Sequence, residues 1–254
     1  MRKKDVKVNG KRINENLKLN SNDELVVYVA SDTKNIKIYY EDENLLVAFK
    51  PRMIETAKLD SSNSFQATLE KLLMIELFAV HRLDRNTSGL VVFAKNQKAK
   101  TELDLAFKNR TIHKFYLAEI IGRLNSPTQT LKAYLKKDAQ NAKVIISNEK
   151  LDGYSEIITK FTEVKNLGET SIVEVELITG KTHQIRAHLA FISHPIIGDE
   201  KYGVSAINKK FKRKFQSLTA YKFIFNFKTE MLSYLNGKVI ELNCEDIDFL
   251  SNNK

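Results

Sequence analysis

The sequence predicts an α+β fold with a central mixed, largely antiparallel sheet flanked by helices and loops. Three observations lead there. Several segments alternate apolar and polar residues with the period of a strand, and others place apolar residues at helical spacing. The strand-like segments also follow one another irregularly, without the strict strand–helix alternation of a doubly wound sheet. The 254 residues allow one large domain, or one large and one small, at roughly 150 residues per domain. A chain this long buries roughly three quarters of its unfolded surface and needs no disulfide to fold. Its 43% hydrophobic and 28% charged residues fit a globular protein better than a disordered or collagen-like one.

Residues 1–30 stand apart as a small first segment, and residues 31–254 form the main domain. Val6 and Val8 followed by Asn9-Gly10 read as a strand entering a tight turn, and Leu25 to Val29 as a second strand. The segment is rich in Lys and Arg, and its acids are few (Asp5, Glu15, Asp23, Glu24). It is too short for a core of its own. In the main domain, Ile36–Tyr40 and Leu45–Phe49 flank the polar run EDEN, the pattern of a hairpin. Residues 64–78 place Phe65, Leu69, Leu72, Leu73 and Leu77 near helical spacing, with Ser62, Asn63 or Ser64 as the cap. Gly89–Ala94 reads as a short apolar strand, residues 97–108 as an amphipathic helix and residues 112–121 as a strand. Val173, Val175 and Leu177 alternate with Glu174 and Glu176 as a half-buried strand. After Thr179-Gly180, THQIRAHLAFI reads as a helix with Thr182 as its cap. Tyr221, Phe223, Phe225 and Phe227 mark a further strand.

Lys plus Arg number 41 against 31 Asp plus Glu, a net charge of +10 that favours a polyanionic partner, nucleic acid or an anionic surface. The single cysteine, Cys244, excludes an internal disulfide, makes a cysteine-built zinc site unfavourable, and suits a reducing, cytoplasmic location. The N-terminus lacks the apolar core of a signal peptide. The best apolar stretch, Leu72 to Val80, carries Glu76 and falls far short of the about 20 residues that span a bilayer, so no membrane role is expected.

Nucleotide-cradling glycine loops and a G-x-S-x-G elbow are missing from the sequence. His183, His188 and His194 lie close together. On a helix, however, His183 and His188 are about 140° apart and do not face one ion, so no metal is expected. Other clusters remain. In HRLDRNTSGL (81–90), Asp84 sits between Arg82 and Arg85 in a polar loop, and a carboxylate beside guanidinium groups is kept charged. That suits nucleophilic or electrostatic work, though a loop tied down by its own hydrogen bonds reads equally from these residues. In GKTHQIRAHL (180–189), His183 and Arg186 share one helix face, which reads either as a solvated face or as one from which Arg186 could reach a carboxylate on a neighbouring loop. Tyr116 of KFY is either a base-stacking ring or core. HPIIGDEKYG (194–203) is a structured loop marked by Pro195, Gly198 and Gly203. Residues 205–228 add seven basic side chains and no acid, with Lys209, Lys210, Lys212, Arg213 and Lys214 interleaved by Phe211 and Phe215, the footprint of a nucleic-acid groove, though a solvated helix reads from the same residues.

In this order, HRLDxxTSGL, KxY, GKTHQIRxHL and HPxxGDxxYG resemble the RluA (ribosomal large-subunit) family of pseudouridine synthases, from about Ile36 to Phe227. Residues 4–29 resemble the last part of an S4-type RNA-binding domain. Its two usual leading helices do not precede it, so the module is expected to be incomplete. The resemblance implies the pseudouridine synthase fold and isomerisation of uridine within RNA, in ribosomal or transfer RNA. It places the nucleophile on Asp84, the base-stacking tyrosine on Tyr116, the arginine that holds the aspartate on Arg186, and on Arg82 an arginine that fills the space of an extruded base. It adds Lys50, His183 and Gln184 to the basic run as RNA contacts. Nothing is oxidised and no group is carried away, so no cofactor is needed, and a monomer is expected. Two positions depart from the family pattern: the glycine that usually follows Lys50-Pro51 is missing (Arg52, Met53, Ile54), and Thr219 stands where histidine is common.

Two other classes are compatible with parts of this pattern. An RNA-binding assembly factor on the same fold would tolerate Asp84→Asn, whereas an enzyme would not. A glycoside hydrolase needs a second carboxyl at a set distance, and no motif places one near the HRLD loop.

Overall fold

The computed structural model describes residues 6–9, 11–12, 17–18, 20–27, 36–57, 63–228 and 230–251. The chain divides into two compact units, residues 1–36 and 37–254. In the first, β1 (Val6–Val8) pairs antiparallel with β2 (Lys11–Arg12) and with β3 (Leu25–Val27). Asn9 takes a left-handed φ of 49° at the turn. Its side chain accepts from the Glu24 amide (2.9 Å) and donates to Asp23 (2.7 Å), which ties the turn to the start of β3. Gly10, Val29 and the candidate cap Ser62 lie outside the described residues.

The second unit is built on one sheet. In chain order its elements are β4 (Ile38–Glu41), β5 (Leu45–Lys50), α1 (Phe65–Leu73), β6 (Phe78–Ala79), β7 (Ser88–Ala94), α2 (Gln97–Lys108), β8 (Ile112–Ile121), β9 (Thr128–Asp138), β10 (Lys143–Ser147), β11 (Ser155–Asn166), β12 (Thr170–Leu177), α3 (Gln184–Phe191), α4 (Ser205–Lys210), β13 (Leu218–Phe225), β14 (Val239–Glu241) and α5 (Asp248–Ser251). The strand order is β10-β9-β11-β12-β8-β13-β7-β5-β4, with β6 added to β7 and β14 to β13. All pairings are antiparallel except β13 with β7. Every residue of β7 is buried, consistent with its unbroken apolar run. The parallel crossing explains the glycine of TSGL. Gly89 has φ 123°, and a Cβ there would lie 2.1 Å from the Ala220 carbonyl oxygen.

The predicted mixed sheet is present, with three local differences. The first helix ends at Leu73, not 78, because Met74 turns left-handed (φ 59°) and the Gln66 and Glu70 side chains bond the Leu77 backbone instead. Leu72 is consequently exposed, and Ser64 caps the helix by accepting from Ala67 N. Thr182 does not cap α3: His183 occupies that position with φ 54°. Strands β9, β10 and β11 go beyond the sequence-based expectation. They form one wing of the sheet, on which Ala133, Leu135, Ile157 and Phe161 are buried while Lys132, Lys136 and Lys143 face out.

Candidate active site

Asp84 lies in the turn that feeds β7, closed by the Thr87 amide donating to the Asp84 carbonyl (3.0 Å). Both ends of the turn are anchored. Thr56 Oγ1 accepts from Leu83 N (3.0 Å), and Gln216 Nε2 donates to Thr87 Oγ1 (2.6 Å). Ser88 meets Thr219 hydroxyl to hydroxyl at 3.0 Å, which gives the unusual threonine a partner. His81 is a structural residue. Its Nε2 accepts from Val92 N (2.9 Å), its ring packs on Phe107 and Phe223, and burial, with Lys114 nearby, pushes its pKa down to about 3.

Lys50 corrects an expectation. It is fully buried at the end of β5 and reaches no solvent, so it is not an RNA contact. Its ammonium donates to the carbonyls of Pro51 (2.9 Å), Ile54 (2.9 Å) and Arg85 (3.3 Å). It thus braces the 51–54 turn against the Asp84 turn. That turn contains Met53 at φ 69°, in the stretch where the family glycine is missing. Burial pushes the Lys50 pKa down to about 7, against the pull of Asp84. Gln184 is corrected likewise. It is buried and clasps Thr179, Lys181 N, Ile158 O and Thr159, tying α3 to β11.

The arginines beside Asp84 in sequence are not its partners. Arg85 donates to the Met53 carbonyl (3.1 Å), and Arg82 is exposed on the cleft wall. Arg186, the third residue of α3, instead donates through Nη1 to Asp84 Oδ2 (2.9 Å). Its Nε (2.7 Å) and Nη2 (2.9 Å) grip Asp199 in a two-point bond. Asp199 was missed as an individual residue, although its loop was singled out. It also accepts from the amides of Lys201 (2.8 Å) and Tyr202 (3.0 Å). Gly198 makes the loop possible: a Cβ there would lie 2.1 Å from the Phe215 carbonyl oxygen. Burial opposes charge on both Arg186 and Asp199. Their pairing outweighs it, raising the arginine pKa and lowering the aspartate's.

A second carboxyl therefore does sit close to the HRLD loop, contrary to the sequence reading. Its side chain is fully buried and held ionised by Arg186, which removes it as a general acid. Tyr116, on β8, lines the same cleft. Burial and the Asp84 charge raise its pKa, so the phenol stays protonated.

The cleft has a volume of about 1280 Å³. Among the described residues its lining includes eleven Lys and Arg side chains and two acids, Asp84 and Glu200. Of the basic run, only Lys214 lines it. Lys210 is paired with Glu169, and Arg213 with the buried Glu119 (3.3 Å); Lys209 and Lys212 are exposed elsewhere. The remaining charge comes from Lys108 at the end of α2, Arg110 after it, and Lys137 and Lys143 of the β9–β10 hairpin, which no motif marked, and from Lys114 of β8, Lys181 and Lys201, which lie inside motifs but were not singled out. Burial and Arg110 push Lys114 down to about 8.

The family model described as RNA pseudouridylate synthase matches residues 44–191, the stretch that carries Lys50, Asp84, Tyr116 and Arg186. The chain belongs to the RNA pseudouridylate synthase family. It is 32% identical to an RNA pseudouridine synthase of Mycoplasma capricolum over 271 residues, covering 96% of this chain and 86% of that one. It is 31% identical to the ribosomal large subunit pseudouridine synthase C of Vibrio cholerae, covering 87% and 73%. Human RNA pseudouridylate synthase domain containing 1 shares the fold, with a TM-score of 0.68 at 20% identity, covering 89% of this chain and 98% of that chain. This pseudouridine synthase is an isomerase of the RluA type, and its substrate is RNA.

Proposed function

We propose that this synthase isomerises specific uridines in structured ribosomal RNA of the large subunit, with Asp84 as nucleophile; transfer RNA is the second candidate substrate. The observation that carries the reading is the Asp84 carboxylate, held by Arg186 at 2.9 Å on the wall of a cleft whose charged lining is eleven basic side chains against two acids. The naming of the Vibrio relatives supports the ribosomal target.

The geometry supports the following chemistry. Isomerisation breaks the bond from ribose C1′ to uracil N1, turns the base, forms a C1′–C5 bond, and exchanges the C5 proton for one on N1. Cleavage leaves positive character on the ribose, which a carboxylate can stabilise or trap. The same carboxylate could instead add to the uracil ring, and both routes use Asp84. Arg186 aims it by the bond to Oδ2. Protonated Tyr116 stacks on the base and is placed to exchange a proton with it. A uridine in a duplex is out of reach, so the target is unpaired or flipped into the cleft, with Arg82 filling its former place. His183 and Lys214 contact the RNA from the walls, and exposed Lys209 and Lys212 extend the basic surface outward. Residues 1–30 add an RNA-binding segment to the catalytic domain of residues 31–254. We place the protein in the cytoplasm, acting as a monomer.

The test is tritium release from unmodified total RNA carrying tritium at uridine carbon 5. Wild type is expected to release it and Asp84→Asn to release none. Equal release from both would overturn the role of Asp84.

A further inference from the structure

His183 holds an unusual position in the cleft. It precedes α3 with φ 54° and ψ 16°, a left-handed conformation that L side chains enter at an energetic cost. Such conformations persist where the surroundings over-determine them. Here the imidazole is held on both sides. Its Nδ1 lies 3.0 Å from the Tyr202 hydroxyl, and its Nε2 lies 3.8 Å from Asp84 Oδ2.

The hydrogen-bond directions can be assigned. Tyr202 Oη accepts from the Val144 amide at 2.8 Å. Burial raises the Tyr202 pKa, so the phenol keeps its proton and can donate it to His183 Nδ1. An accepting Nδ1 puts the proton of the neutral ring on Nε2, the atom that faces Asp84. The opposite tautomer would aim a lone pair at a carboxylate. Five groups face the ring: Asp84, Asp199, Arg186, Lys201 and Tyr202. Burial lowers the His183 pKa more than Asp84 raises it, which favours the neutral form.

We propose that His183 is a positioning residue for the isomerisation: Tyr202, pinned to Val144 of the β9–β10 hairpin, locks the imidazole as the Nε2–H tautomer, which joins Arg186 in holding Asp84 Oδ2 and leaves Oδ1 to meet the substrate. This rests on Asp84 being the reacting carboxylate. The 3.8 Å separation exceeds a hydrogen bond. Contacts of this kind tighten when substrate fills the site, and the hairpin that anchors Tyr202 also places Lys137 and Lys143 on the cleft wall. RNA seated on those lysines would press on the strand that sets the tautomer.

Four variants test this in the full chain, with tritium release from uridine-labelled total RNA as the assay and thermal unfolding as the control for folding. Asn tolerates the left-handed backbone, but its amide cannot reach Asp84. His183→Asn should lower kcat about 10- to 100-fold, the range for losing one hydrogen bond to a charged group, with KM changed by less than about threefold. His183→Gln puts an N–H near the position of Nε2 and should restore most of the rate. Tyr202→Phe removes the donor that favours the neutral ring, so the acidic limb of its pH profile should move to higher pH. Wild-type kcat in His183→Asn, or an unmoved limb in Tyr202→Phe, overturns the proposal. Equal losses in His183→Asn and His183→Gln also overturn it, because they mark a merely structural ring. Asp84→Asn separates the two failures. If Asp84→Asn is inactive while His183→Asn is intact, only this inference falls; if Asp84→Asn is active, the nucleophile reading falls with it.

Discussion

The buried side of the cleft and its exposed rim use charge in opposite ways. On the buried side, one guanidinium serves two carboxylates, and Asp199, whose side chain is fully buried, also takes two backbone amides. Around the rim, Lys108, Arg110, Lys137, Lys143, Lys181 and Lys214 stand in solvent on four separate segments of chain. The buried charges interact through little water and are weakly screened, so they set the geometry of a single oxygen atom. The rim charges act over a distance of about 8–10 Å at ordinary salt and set only how strongly a polyanion is held. Removing a buried charge should therefore alter chemistry and folding while sparing affinity, and removing a rim charge should do the reverse.

The largest effect is expected from Arg186→Ala. It strips two carboxylates of their shared partner and leaves Asp199 buried and unpaired, a loss of about 3–5 kcal/mol in unfolding free energy. Turnover should fall at least about 100-fold, because Asp84 loses the one close side-chain donor it has among the described residues. RNA affinity should stay within about tenfold. Denaturant unfolding, single-turnover tritium release and filter binding give the three readings. Wild-type turnover would remove the ion pair from the mechanism, and a collapse of affinity would break the division between floor and rim.

Lys50→Met comes next. It leaves three partly buried carbonyls without their shared donor, at about 1 kcal/mol, the low end for an unsatisfied group. The pH dependence has a definite sign. Lys50 titrates near 7 when folded and near 10.5 when unfolded, so between these values the unfolded chain binds more protons. Wild-type stability contributed by this group is therefore lowest below pH 7 and rises as pH climbs from 7 towards 10. The melting temperature of wild type should gain on that of Lys50→Met across that window. A constant difference would mean that Lys50 does not change charge there.

The rim gives smaller, graded effects. Neutralising Lys137, Lys143 and Lys181 together should weaken RNA binding at low salt and flatten the log–log salt slope by about 0.7–0.9 for each phosphate that is no longer neutralised. Lys209→Gln with Lys212→Gln should change it less, because neither side chain lines the cleft. An equal change would return the basic run to the RNA surface as the sequence suggested.

That last contrast shows what was legible in the sequence and why. Strands such as β7, β12 and β13, and helix α2, declare themselves through burial: apolar residues recur at the period that the packing requires. The β9–β11 wing was legible in principle, since Leu131, Ala133 and Leu135 alternate, but its Lys- and Thr-rich exposed face weakened the signal. Asp84, Tyr116 and Arg186 stood out because they lie in dense motifs. Asp199 and Tyr202 stood in a motif too, yet their role depends on which side chain the loop folds against, and no spacing encodes that. The basic residues show the limit most clearly. Seven cations between residues 205 and 228 look like a groove in one dimension, while the cleft assembles its own from α2, β8, the β9–β10 hairpin and the loop before α3. A linear run measures local density of charge; a binding surface depends on charges brought together by the fold.

The smallest predicted effect tests whether the floor is rigid enough to carry strain. Met53 has φ 69° in a turn whose two flanking carbonyls, Pro51 and Ile54, are both held by Lys50, and whose own carbonyl accepts from Arg85. A left-handed non-glycine residue is unfavourable by about 1–2 kcal/mol, and glycine relieves it at the expense of added freedom in the unfolded chain. Met53→Gly should therefore raise unfolding free energy by less than about 1 kcal/mol and leave turnover unchanged, since Met53 is exposed and touches neither Asp84 nor Arg186. In the Lys50→Met background the same substitution should help more. Without the brace, the turn keeps the Arg85 bond to the Met53 carbonyl and the Arg52 bonds to Asp248 and the Gln216 carbonyl, but loses the ammonium that ties its two ends together. A double-mutant cycle measures the coupling directly. Strict additivity would mean that the turn holds its shape without Lys50, and that the buried ammonium serves the Asp84 turn through Arg85 alone.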